Sequence, residues 1–223
     1  MMIRGVIFDM DGLLTDTEPV YYGIFNEILG EYGYSMDMAE YTANICGRAD
    51  MENFAYLIEH YHLPIEIHAL AQKEAVIERN RIEQGVPLKK GVHEILSFLN
   101  KNRIHIGLAT SNLKEKAELI LHAHGIYDCF ETLVYVDEVG KGKPAPDVFL
   151  EAARRLNLPV EDCLVLEDSY SGVQAAVNGK LPVIMVPDLK QPDDYIRSIC
   201  TDIRKDLIEV RDYIAHVNQI DAV

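Results

Sequence analysis

Two carboxylates, Asp9 and Asp11, stand directly after the short apolar run Val6-Ile7-Phe8, and Gly12 follows them. If the chain is still extended there, i and i+2 side chains fall on one side. Such a pair can divide a reaction, one carboxylate attacking while the other moves a proton. A second acidic pair, Glu167-Asp168, ends the run Cys163-Leu164-Val165-Leu166. Brought together, these carboxylates would repel and raise one another's pKa unless a cation sat among them. An all-oxygen set of this kind suits Mg²⁺, which keeps waters and binds substrate phosphate beside one or two carboxylates.

Lys143, in Gly142-Lys143-Pro144-Ala145-Pro146-Asp147, offers a positive charge with three donors for a phosphoryl oxygen. Thr110 offers a hydroxyl, and Ser111-Asn112 read as the opening of a helix whose free N–H groups favour an anion. Each segment alone has a plainer reading: a solvated Asp-Gly turn, an ordinary N-cap, a surface lysine.

The elements needed to bring these segments together are legible around them. Arg4 to Phe8, Ile104 to Ala109, Thr132 to Val136, Cys163 to Leu166 and Pro182 to Val186 read as strands. Between them lie helical patterns. Val92, Ile95, Leu96 and Leu99 recur at i, i+3, i+4 and i+7, Leu113 to His124 and Ser171 to Asn178 read as helices, and Pro146 suits the first turn of another. After the fifth strand the chain reads as mostly helical. Such alternation predicts an α/β fold, a Rossmann-like parallel sheet with helices on both faces, which gathers the strands' carboxyl ends on one edge. Residues 17–84 carry long helical patterns and almost no strand signal, with Ile24, Ile28 and Leu29 on one face and Phe54, Leu57, Ile58 and Tyr61 on another. They are read as an α-helical cap inserted into a core of residues 1–16 and 85–223.

Composition narrows the class. With 223 residues the chain can bury a substantial core. A formal net charge of −15 opposes binding to nucleic acid, whose phosphates are met by Lys and Arg. No apolar stretch approaches the roughly 20 residues of a membrane span, and no secretory pattern opens the chain, so no membrane partner and a cytoplasmic location are expected. Cys46, Cys129, Cys163 and Cys200 form no CxxC pair, and His60/His62 and His122/His124 are spaced i, i+2, which does not put two rings on one helix face. A monomer is expected.

In their order, the four segments resemble the haloacid dehalogenase superfamily, specifically its β-phosphoglucomutase-like phosphatases with a helical cap after the first strand. The resemblance covers nearly the whole chain. It implies that Asp9 is the nucleophile and Asp11 the general acid/base, and that Thr110 and Lys143 hold the phosphate beside Ser111 and Asn112. It further implies that Mg²⁺ is bound by Asp9, the Asp11 main-chain carbonyl, Glu167 and Asp168. The expected activity is Mg²⁺-dependent hydrolysis of a small phosphorylated metabolite through an aspartyl phosphate. β-Phosphoglucomutase itself carries a cap histidine and an arginine where this chain has Tyr21 and Asp50, which disfavours the mutase alternative. Arg48 lies close to that arginine position and is the candidate substrate ligand of the cap. A dehalogenase needs no second acid at Asp11; the second alternative is a non-catalytic binding protein that retains the fold, and the intact set of catalytic positions makes retained catalysis the more economical reading.

Overall fold

Val6, Ile7 and Phe8 are completely buried because their strand runs through the middle of a sheet covered on both faces. The computed structural model describes residues 2–222, which form two units, residues 2–15 with 88–222 and residues 16–87.

The first unit holds β1 (Gly5–Phe8), β2 (His105–Thr110), β3 (Thr132–Tyr135), β4 (Cys163–Glu167), β5 (Val183–Met185) and β6 (Asp202–Ile203). Their order is β3-β2-β1-β4-β5-β6, and every pair is parallel. Phe8 pairs with Leu108 on one side and Leu166 on the other. The chain therefore leaves β1, β2 and β4 at one level of one edge, and Asp9, Thr110 and Glu167 arrive there together. The strand order reverses beside β1, which is where open α/β sheets form their ligand crevice.

Side-chain alternation sends Ile7, Ala109, Val134, Val165 and Met185 to one face. There they pack on Val148, Phe149 and Ala152 of α7 (Asp147–Arg155) and on Val173 and Ala176 of α8 (Tyr170–Asn178). The alternate residues Val6, Phe8, Leu108, Leu164 and Leu166 are buried as well, and Phe8 meets Phe130 edge to face with ring centroids 6.2 Å apart. The apolar positions expected of one helix, Val92, Ile95, Leu96 and Leu99, are the buried face of α5 (Val92–Lys101), which packs on β2 and on α10 (Leu207–Asn218). The remaining helices of this unit are α6 (Lys114–Ala123) and α9 (Asp194–Ile199).

Two readings of the sequence need correction. The stretch after β5 is helical in α9 and α10, but it also contributes β6, whose two residues are too short to show an alternating pattern. The helix expected over Leu113 to His124 begins at Lys114 with Leu113 as its N-cap, so Ser111 and Asn112, read as its opening, lie instead in the bend before it.

The second unit consists of α1 (Glu18–Gly30), α2 (Met38–Asn44), α3 (Asp50–His60) and α4 (Ile67–Gln84). Ile24, Phe25, Ile28 and Leu29 of α1 meet a core completed by Tyr41, Phe54, Leu57 and Leu70. Two of its buried tyrosines keep their hydroxyls bonded: Tyr41 donates to Glu18 Oε2 at 2.5 Å and Tyr61 to Glu40 Oε1 at 2.5 Å. Among the described residues, no helix is long and apolar enough to cross a membrane.

Candidate active site

Asp9 leaves β1 still paired with β4, its N–H donating to the Leu166 carbonyl at 3.0 Å. The chain then closes a small loop. Leu14 and Thr15 N–H both donate to the Met10 carbonyl, and Gly12 N–H donates to the Thr15 carbonyl at 2.9 Å. Gly12 has φ +76°, and a Cβ there would stand 2.1 Å from Asp168 Oδ2. Only glycine allows both that backbone and that approach.

Lys143 joins the two acidic segments. Its Nζ donates to Asp9 Oδ1 and, at 2.6 Å, to Glu167 Oε1, and it sits 4.8 Å from the centre of the Phe149 ring. Burial works against its charge, but the Asp9 and Glu167 carboxylates prevail and hold its pKa above the usual lysine range. The other Glu167 oxygen accepts from Ser169 N–H at 2.8 Å and Ser169 Oγ at 2.9 Å. Ser169 is the N-cap of α8, accepting from Gly172 N–H at 3.1 Å. One hydroxyl thus fixes both the helix start and the buried carboxylate.

Negative charge exceeds positive here. Burial pushes the Asp9 carboxyl up to about 8, with Glu167 and Asp11 adding to the rise and Lys143 opposing it. Burial likewise lifts Asp168 well above the carboxylate range, with Glu167, Asp9 and Asp188 adding. Carboxylate oxygens of Asp9, Glu167 and Asp168 lie within 4.8 Å of one another. Three acidic oxygen donors with one lysine among them fit a hard divalent cation, which would relieve the charge that raises these pKa values.

Asp11 is bonded through one oxygen only. Oδ2 accepts from Asn112 Nδ2 at 2.6 Å, while Oδ1 is buried without a partner. Thr110, 1% exposed, accepts the Asn112 backbone N–H at Oγ1, 3.0 Å away. A hydroxyl that accepts still has its own proton to give, so Thr110 can donate to a phosphoryl oxygen. The core unit therefore gathers Asp9, Lys143, Glu167 and Asp168 into one cluster and Asp11, Thr110 and Asn112 into an adjoining one. Ser111 is exposed, and Arg48 is exposed in the helical unit.

Ser169 and Gly172 were not singled out from the sequence. A Cβ at Gly172 would lie 1.6 Å from Glu167 Oε1, so Gly172→Ala is expected to displace Glu167. The expected cost is about 1–3 kcal/mol of stability, as for other overpacked sites, together with a clear loss of turnover. Thermal unfolding and steady-state rates measure both, and a fully active variant of unchanged stability would contradict this packing.

Residues 6–186 match the family model of haloacid dehalogenase-like hydrolases. The chain belongs to that family. It is similar to the phosphorylated carbohydrates phosphatase of Thermotoga maritima, 32% identical over 176 residues that cover 78% of this chain and 80% of that protein. It also resembles the bifunctional riboflavin kinase/FMN phosphatase of Arabidopsis thaliana, 31% identical over 207 residues, 92% of this chain, though it spans only 54% of that protein's length. A solved haloacid dehalogenase family hydrolase from Deinococcus radiodurans, with bound phosphate and sodium, shares the fold with a TM-score of 0.82 at 24% identity, covering 98% of this chain and 97% of that one.

Proposed function

We propose that the protein is a Mg²⁺-dependent phosphatase that hydrolyses a small phosphorylated metabolite, a phosphosugar or similar phosphomonoester, through an aspartyl phosphate on Asp9. The observation that carries this reading is Lys143 bridging Asp9 and Glu167 at the carboxyl edge of β1 and β4. In that position a cation can bind a phosphoryl oxygen beside the attacking carboxylate.

Asp9 attacks phosphorus through one carboxylate oxygen, and the bond from phosphorus to the ester oxygen breaks. The Asp11 carboxyl gives its proton to the departing oxygen, so an alcohol leaves. Water then attacks the phosphorus of the acyl phosphate and passes its proton to Asp11 while the bond from phosphorus to the Asp9 oxygen breaks, which releases inorganic phosphate and leaves Asp9 ionised and Asp11 protonated as at the start. Lys143 and the Thr110 hydroxyl hold the phosphoryl oxygens through both transfers. Mg²⁺ held by Asp9, the Asp11 main-chain carbonyl, Glu167 and Asp168 would supply the charge that keeps Asp9 ionised and offsets that of the phosphoryl group.

A panel of sugar phosphates, nucleotides and small phosphoesters, assayed for released phosphate with Mg²⁺ present, tests the reading. Free phosphate from several phosphomonoesters is the expected result. A rearranged phosphosugar without free phosphate would instead indicate a mutase, and no product from any ester would indicate a binding protein.

A further inference from the structure

We infer that Asn112 is a positioning residue for Asp11, holding its carboxyl in the orientation that delivers the proton, and that it is not a ligand of the phosphate. This rests on the phosphatase reading above. The Asp11 side chain stands on a loop and has two rotatable bonds, yet one contact orients it: Asn112 Nδ2 to Oδ2 at 2.6 Å. The partner oxygen, Oδ1, is buried and has no hydrogen bond, which leaves it as the oxygen available to the reacting atoms.

Asn112 is itself held in place. It is 7% exposed, its backbone N–H is bonded to Thr110 Oγ1 at 3.0 Å, and its amide nitrogen lies 3.6 Å from the sulfur of Met10, a fully buried residue. With the deliverable proton on the free Oδ1, Oδ2 can only accept, so the amide presents its nitrogen to Asp11. That choice directs the amide at the acid and away from an anion. The same residue joins the two tasks of the bend after β2, because its backbone N–H leaves the Thr110 hydroxyl proton free while its side chain orients Asp11.

A residue that orients a general acid matters in proportion to how much the leaving group needs a proton. A phosphate ligand would matter equally for every ester. Asn112→Ala and the near-isosteric Asn112→Asp, which replaces the donor by an acceptor, are therefore compared with wild type on an alkyl phosphate and on p-nitrophenyl phosphate. The ratio kcat/KM reports the steps through departure of the alcohol. For the alkyl ester it is expected to fall about 100-fold, the scale of a misoriented catalytic group. For the aryl ester, whose leaving group departs without help, it is expected to fall less than about 3-fold.

Equal losses on both esters would overturn the inference in favour of a phosphate-binding or purely structural role. No loss on either would overturn it as well. Should the alanine variant fail to fold, Asn112→Asp carries the test, since it keeps the size and shape of the side chain. Wild-type turnover of the two esters judges the phosphatase reading, whereas the alkyl-to-aryl ratio of the variants judges Asn112.

Discussion

Asp9→Asn is expected to abolish turnover, with a loss on the order of 10⁴-fold or more, as when a covalent nucleophile is removed. The amide is nearly isosteric, so the fold and the neighbouring Lys143 should persist. What disappears is the oxygen that attacks phosphorus. Burial lifts the Asp9 pKa to about 8, so below that pH the metal-free carboxyl is mostly protonated and the neutral amide replaces it closely; the variant should unfold no earlier than wild type in metal-free buffer at neutral pH. Inactivity with undiminished thermal stability would separate a chemical role from a structural one. A variant retaining full turnover would remove Asp9 from the mechanism.

Removal of the divalent cation should have the second largest effect. Excess EDTA is expected to take phosphate release to background, and added Mg²⁺ to restore it. Activity persisting in chelator would contradict the metal role of Asp9, Glu167 and Asp168. The raised pKa values give this a pH signature. Without a cation, Asp9 and Asp168 bind protons more tightly in the native state than in the unfolded chain, where carboxylates titrate near 4. Between about pH 4 and 8 the native state therefore carries more bound protons, and the stability of the metal-free protein declines as pH rises through that window. The cation competes with those protons, so its protection should grow over the same range. At about 100 times its Kd, Mg²⁺ would contribute about 2.7 kcal/mol, or roughly 5–10 °C in Tm for a domain of this size, at pH 8. The shift at pH 5 should be much smaller. Equal shifts at both pH values would contradict the linkage.

Most of the architecture is visible in the chain because buried parallel strands are short apolar runs that stop at acidic or polar residues, as at Phe8-Asp9 and Leu166-Glu167. The α5 stripe was equally plain, its period matching one helical face. β6 was hidden, since two half-buried edge residues carry no period. Within the site, residue types and order identified Asp9, Asp11, Thr110, Lys143, Glu167 and Asp168 as candidates, because each stands in a short segment at or soon after a strand end. Contacts were less legible. Nothing in Ser111-Asn112 said that the amide would turn to Asp11, and the pair, read as a helix opening, lies in the bend just before α6. Gly172 carries no chemistry of its own, and its importance appears only when a missing Cβ is measured against Glu167. Sequence spacing reports which groups are available, while the partner of each group depends on loop geometry that no period encodes.

The most direct measurement is to quench the enzyme in acid during turnover of a phosphomonoester with Mg²⁺ present, digest it, and locate any added phosphoryl group by mass spectrometry. The phosphoryl group is expected on the carboxylate of Asp9, and the corresponding peptide of Asp9→Asn should carry none. Phosphorylation of a different residue, or steady phosphate release from an enzyme never modified at Asp9 under quenches that preserve acyl phosphates, would contradict the assignment of Asp9 as the nucleophile.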